Sequence, residues 1–216
     1  MKLRNTENIF VLALFLGITG VAAAAILALV SQITAEPIRQ AKIKNELKML
    51  KELNLPEFDN DMTARPFTVN SVVYMAAKKD GKLVGFAAKT ETTSGYSGKM
   101  RALVSFDVSG NILCVQILEH KETPGLGAEV CERKFQRTIF NLFSPRPAGL
   151  PANAILDQFN GKNASQSGNW KIVKDGGEFI YRTGATVSTR AVTGMVNAAA
   201  VNFSAASAHF NKGANL

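Results

Sequence analysis

Four hydroxyl side chains, Thr183, Thr186, Ser188 and Thr189, crowd into the ten-residue stretch TGATVSTRAV, with Gly184 and Ala185 between them. A run of helical character, Ala191-Val192-Thr193-Gly194-Met195-Val196, follows at once. Two kinds of chemistry suit such a stretch. In the structural one, Ser188 or Thr189 is a helix N-cap whose oxygen accepts a free backbone N–H. In the other, the unpaired N–H groups and positive dipole end of the helix bind an anion, above all a phosphate. Gly184 and Ala185 then let a bulky anion approach the backbone, and the hydroxyls either hydrogen-bond its oxygens or are esterified by it. No base stands within the stretch and Gly-x-Ser-x-Gly is absent, so a hydrolase is not indicated.

Two further glycine-rich stretches bear on the same question. In HKETPGLGAEV (120–130), Pro124-Gly125 sets a tight turn and Gly127 permits close backbone approach before a helix expected from Ala128. Glu119, His120 and Glu122 are titratable, but no nucleophile or metal partner accompanies them in the sequence. In TSGYSGKM (93–100), Tyr96 stands between Gly95 and Gly98, either as an aromatic plate for a ring or as the tip of a hairpin. Cys114 and Cys131 form no CxxC, and His120 and His209 stand far apart, so zinc and iron–sulfur ligand sets are missing. One disulfide or two buried thiols both remain open.

The elements that must position these residues begin with a membrane anchor. No charged residue stands between Glu7 and Glu36, and the core IFVLALFLGITGVAAAAILALV exceeds the about 20 apolar residues a spanning helix needs. A cleaved signal peptide has an apolar stretch of only about 7–15 residues, so an uncleaved single span is expected. Gly17, Gly20 and the alanines at 22–25 offer a small-residue face for packing against another span. Lys2 and Arg4 precede the span, while Arg39, Lys42, Lys44, Lys48 and Lys51 follow it. A positive-inside count would leave the following domain in the cytoplasm, yet large domains translocate despite flanking charge, and charge alone does not settle the side. The net charge is +8, but the basic residues are scattered and no nucleic-acid motif accompanies them. An amphipathic PIRQAKIKNELKMLKEL helix resting on the lipid bilayer accounts for the five just named, and no nucleic acid is expected as a partner.

Beyond a linker, LPEFDNDMTARPF, the pattern is β-rich. SVVYMAA and LVGFAAKT are joined by an Asp80-Gly81 turn, and ALVSFDV and ILCVQILE by Ser109-Gly110-Asn111, which predicts a four-strand meander. AEVCERKFQRTIFNLF has Val130, Phe135, Ile139 and Phe143 near helical spacing. A loop with a short helical turn at AILDQF, a strand at WKIVK and a last helix over about 188–209 complete the reading. The fold class is α+β: one transmembrane helix followed by a domain of antiparallel sheet and packed helices. The expected division is an anchor over 1–36, a juxtamembrane helix and linker over 37–66, and the domain over 67–216.

GYSGKM, HKETPGLGAE and KDGGEFIYRTGATVSTRAV occur in that order behind a membrane helix, and in this the chain resembles the FMN-binding domain of membrane redox complexes. More specifically it resembles the G subunit of the Rnf electron-transport complex, over nearly the whole chain; the C subunit of the sodium-pumping NADH:quinone oxidoreductase is the nearest alternative. A non-redox anchored module, with TGAT only a helix cap, stands as the reading from a different class. The resemblance implies covalent FMN, joined by a phosphoester to the last hydroxyl of the motif, which here is Ser188. It implies that Thr183, Gly184, Ala185 and Thr186 lie near the phosphate, that Thr123, Gly125, Leu126 and Gly127, with Tyr96, lie about the flavin ring, and that Glu122 is a further cofactor-binding residue. It also implies a separate flavin transferase, other membrane subunits as partners, and a domain on the periplasmic or extracytoplasmic side of the inner membrane. The function implied is electron relay in an ion-translocating ferredoxin:NAD+ oxidoreductase, as a subunit not catalytic alone. Two departures are visible. Serine replaces the usual threonine, keeping the nucleophilic oxygen, and Ile180 occupies a position that is often acidic, with Asp175 and Glu178 out of register.

Overall fold

The computed structural model describes residues 9–135 and 149–212. The first element, α1 (Ile9–Lys51), is a continuous helix long and apolar enough to cross a membrane. It passes through Pro37 without a break, so the expected boundary between anchor and juxtamembrane segment falls inside one helix. By contacts the chain divides into two units, 1–47 and 48–216, so the last turn of α1 belongs with the second unit. Lys2 and Arg4, and likewise Ile139 and Phe143, lie outside the described residues.

The second unit is built on a five-stranded antiparallel sheet in the order β1-β2-β3-β4-β5: β1 (Phe67–Val69), β2 (Val72–Lys79), β3 (Lys82–Gly95), β4 (Gly98–Phe106) and β5 (Ile112–Glu119). The meander is thus as expected, with one short edge strand added in front. Asp80 and Gly81 have φ of 50° and 75°. Both positive values are what a two-residue hairpin turn matching the strand twist requires. Side-chain alternation along β2 divides the core. Tyr74 and Ala76 face one side, where Phe86, Ala88, Val104 and Phe106 join them, while Met75 and Ala77 face the other with Ala87, Leu103 and Leu53. The sheet is therefore covered on both faces.

On the first face lie α4 (Thr186–Val201) and α5 (Phe203–Lys212). Val192, Met195, Val196 and Ala199 of α4 are buried there, and Tyr74 donates its phenolic O–H to the carbonyl of Ala199. The last helix expected as one piece is two. Its start is Thr186 with Ala185 as N-cap, so neither Ser188 nor Thr189 caps it. Asn202 interrupts it, its Nδ2 donating back to the Ala198 carbonyl at 2.8 Å, and the bend brings Phe203 against Phe86 and Phe106.

Two other expectations are corrected. The helix after the glycine-rich turn is only α2 (Gly127–Cys131), and Glu132 is already extended at φ −100°, ψ 140°. The cause is Arg133, whose guanidinium reaches the carbonyls of Pro151 and Val115, both at 3.0 Å, and Asp157 at 2.7 Å, contacts that draw the chain out of helix. WKIVK is no full strand: Ile172 makes one parallel bridge to Phe179, and Val173–Asp175 is a 3-10 turn. The helical turn expected near AILDQF is α3 (Ala154–Asp157), capped by the Asn153 side chain.

Candidate functional site

The three glycine-rich stretches meet at one carboxyl group. β3 and β4 run to the end of their hairpin, pairing Gly95 with Gly98, and leave Tyr96 and Ser97 at its tip. The turn after β5 carries Glu122, and α4 carries Ser188 on its first turn. Ser188 Oγ donates to Glu122 Oε2 at 2.6 Å, and the Ser97 N–H donates to Glu122 Oε1 at 3.1 Å. Both carboxyl oxygens therefore accept, one from each neighbouring motif. Glu122 is 5% exposed and Ser188 1%, so the pair is out of reach of bulk water.

Two glycines make room for this carboxyl group. A Cβ on Gly127 would meet Glu122 Oε2, Ser188 Oγ at 2.6 Å and Glu122 Cβ at 2.9 Å. One on Gly95 would lie 2.6 Å from the Gly98 carbonyl oxygen and 2.8 Å from Glu122 Oε1. Neither position has space for any side chain. The requirement is close approach, at the place where the sequence suggested it for Gly127.

The start of α4 has its own geometry. Thr183 and Gly184 form the approach turn, with Gly184 at φ +83°, and Ala185 is buried. The N–H groups of Thr186, Val187 and Ser188 open the helix and have no carbonyl one turn back to bond. Thr189 is buried, donating its hydroxyl to the Ala185 carbonyl at 2.9 Å. Arg190 holds Asp175 through two contacts of 2.6 Å, and this pair keeps the Asp175 carboxyl below its ordinary value. Ile180 is half-exposed, and its N–H donates to Gln158 Oε1 at 2.7 Å.

The turn Thr123–Leu126 is exposed along its length. Leu126 leans on the start of α4, its Cδ2 lying 3.3 Å from where a Cβ on Gly184 would be. Leu126, Val187 and Tyr96, the last 73% exposed, are large apolar side chains left open around the carboxyl group. The Tyr96 question thus resolves in favour of a hairpin tip, and its ring remains free to meet a planar ligand. Cys131, at the end of α2, is buried; burial and then the nearby Glu122 push its thiol up to about 12. Cys114 is also a free, buried thiol and lies in the hydrophobic cluster on the other sheet face, so the two do not pair.

In the sequence Glu122 is a titratable residue with no visible nucleophile, and no base stands within the hydroxyl-rich stretch. The fold places Glu122 inward, on Ser188 itself. Ser97 was missed as a participant because it acts through its backbone N–H, which any residue supplies. The signal in the sequence is an acidic residue heading a turn in which Gly127 permits close backbone approach. Among the described residues no group of histidine, cysteine or carboxylate side chains forms a metal site.

A buried hydroxyl, a helix start with open N–H groups, a positive-φ glycine and exposed apolar side chains fit an anionic phosphate attached to a flat aromatic system. Comparison with known proteins agrees. Residues 95–201 match the family described as FMN-binding domain, a span containing all three stretches and α4. The chain is 33% identical over 184 residues to the G subunit of the ion-translocating oxidoreductase complex of Photorhabdus laumondii, covering 81% of this chain and 80% of that protein. It is 29% identical over 203 residues to the like-named protein of Shewanella loihica, covering 89% and 88%. To that of Haemophilus influenzae it is 38% identical over 125 residues, 58% of this chain, and there it spans only about half of the relative, 53%.

Proposed function

Because the chain belongs to the family of G subunits of ion-translocating oxidoreductase complexes, we propose that it is a membrane-anchored flavoprotein carrying FMN on Ser188. Its role is to relay electrons within an ion-translocating ferredoxin:NAD+ oxidoreductase, beside the other membrane subunits, without catalysing a reaction alone. The observation that carries this reading is the convergence of the GYSG tip, the ETPGLG turn and the TGATVS helix start on the Ser188–Glu122 pair. When bound, the flavin supplies one- and two-electron transfer that no side chain here provides.

The residues divide the work. The N–H groups opening α4, with Thr183 and Thr186, hold the phosphate, and Gly184 lets it approach. Ser188 is the hydroxyl esterified. Leu126 and Tyr96, with the backbone from Thr123 to Gly127, flank the ring and exclude water from one side of it. A covalent bond keeps the cofactor from dissociating, which matters for a carrier held at a membrane. α1 provides the anchor in the lipid bilayer. The domain stands on the periplasmic or extracytoplasmic side of the inner membrane, where a flavin transferase installs the cofactor.

The test is co-expression of the full chain with and without a flavin transferase, followed by SDS gel electrophoresis. Flavin fluorescence should travel with the band only when the transferase is present. A chain that stays dark in both samples would sink the proposal. A membrane-impermeant lysine reagent applied to intact spheroplasts should label the domain; labelling only after lysis would put it on the other side.

A further inference from the structure

The geometry points to Glu122 as the proton acceptor for the modification of Ser188, so that the domain supplies the base for its own flavin attachment. The inference rests on the reading of Ser188 as the esterified residue. A serine hydroxyl is a weak nucleophile, and one route to activating it is an adjacent base within hydrogen-bond reach. Glu122 Oε2 stands 2.6 Å from Ser188 Oγ, inside the range of about 2.6–3.2 Å that proton transfer needs. Its other oxygen is fixed by the Ser97 N–H, which leaves Oε2 aimed at the hydroxyl. Ser97 is a positioning residue, acting through the carboxyl group. Gly95 and Gly127 remove the side chains that would push this group away from Ser188.

The attacking oxygen is Ser188 Oγ, and the donor is a flavin phosphoanhydride, since a hydroxyl needs an activated phosphoryl group to form a phosphoester. The new bond joins Oγ to the flavin-bearing phosphorus. The bond broken is the anhydride P–O, whose electron pair leaves with the departing phosphate group. The hydroxyl proton passes to Glu122 Oε2. That transfer also serves the product, because a protonated carboxyl group beside a new phosphate anion avoids the repulsion of two like charges. Ser188 is 1% exposed, and Gly127 and Leu126 lie against it and against Gly184. The exposed Thr123–Leu126 turn must therefore lift to admit the donor.

Three variants of the full chain, incubated with flavin transferase and donor, separate a base from a mere hydrogen-bond partner. The readout is the rate of covalent flavin incorporation by intact mass, with melting followed in parallel. Glu122→Gln keeps an acceptor oxygen but takes no proton, and should slow incorporation by about 10²-fold or more, the low end of the range for general base catalysis. Glu122→Asp keeps a carboxylate at longer reach and should fall between Gln and wild type. If Glu122→Gln loses its fold, Glu122→Asp decides: a slowed rate supports the inference and a wild-type rate overturns it. In Glu122→Ala, added formate should restore part of the rate; a folded Ala variant that formate leaves unchanged counts against proton acceptance. Folded Glu122→Gln working at the wild-type rate overturns the inference outright and would leave the base to the transferase. Ser188→Ala isolates the underlying reading: flavin still attached to that variant defeats the choice of Ser188, whereas loss of flavin there with a normal Glu122→Gln defeats the base alone.

Discussion

Gly127 gives the sharpest test of the site's packing. Alanine is the better helix former by up to about 1 kcal/mol, and α2 begins at Gly127, so helix propensity favours Gly127→Ala. Packing opposes it. The added methyl would fall 2.6 Å from Ser188 Oγ and 2.9 Å from Glu122 Cβ, and closer still to Glu122 Oε2. Overpacking of this kind costs about 1–3 kcal/mol. Prising Ser188 from Glu122 leaves a buried polar group without its partner, at about 1–3 kcal/mol more. The clash wins, and net destabilisation should be about 3 kcal/mol, which for a chain of this size lowers the melting temperature by roughly 6–12 °C. Gly194→Ala is the matched control. It lies inside α4, exposed, with nothing within 4 Å of its Cβ position, so only helix propensity acts. It should stabilise by up to about 1 kcal/mol, roughly 2–4 °C upward. Trp170, the single tryptophan, packs on Phe159 and Phe179 and reports melting of the detergent-solubilised chain by its fluorescence. Shifts of the same sign in the two variants, or a stabilised Gly127→Ala, would refute the close approach drawn here.

Other outcomes follow from neighbouring contacts. Asn153 Oδ1 accepts from the N–H groups of Ile155 and Leu156, while its Nδ2 donates to the carbonyls of Glu129 and Glu132. Asn153→Ala removes a cap and strands buried carbonyls, and should cost about 2–4 kcal/mol, read from denaturant melts. Cys114 and Cys131 are buried with raised thiol values, so both should resist alkylation in the folded chain at mildly alkaline pH and react on unfolding; fast labelling of either contradicts the packing. The Arg190 partner lowers the Asp175 carboxyl, so its contribution is present above the unfolded aspartate value of about 3.9 and is lost as pH falls through the lower folded value. Asp175→Asn should flatten the acid limb of the stability profile; an unchanged profile counts against the pair.

The sheet was legible because the short apolar runs of β2 to β5 are bounded by turn residues, Asp80-Gly81 among them, local signals that burial on both faces reinforces. The edge strand Phe67–Val69 alternates, but over three residues that pattern is too short to mark a strand. Helices were less legible where long-range contacts overrode period. Arg133 ends the helical run by reaching Val115 and Asp157, and Asn202 divides the last helix so that Phe203 can enter the sheet core. The hydroxyls of the site could be read as candidates, and so could the glycine-rich turns. What the sequence withheld was the pairing of Ser188 with Glu122, two residues 66 positions apart. A lone glutamate before a Pro-Gly turn carries no mark of its partner. The empty space at Gly95 and Gly127 has meaning only once the carboxyl group that fills it is in place.

The central claim is that Ser188 alone carries the flavin. Trypsin, cutting after Arg182 and Arg190, releases the peptide TGATVSTR from the mature protein. Tandem mass spectrometry of that peptide, after expression with a flavin transferase, should show the mass of FMN less one water, with fragments placing it on Ser188. Unmodified peptide from a flavin-bearing band, or fragments placing the flavin on Thr183, Thr186 or Thr189, would contradict the account.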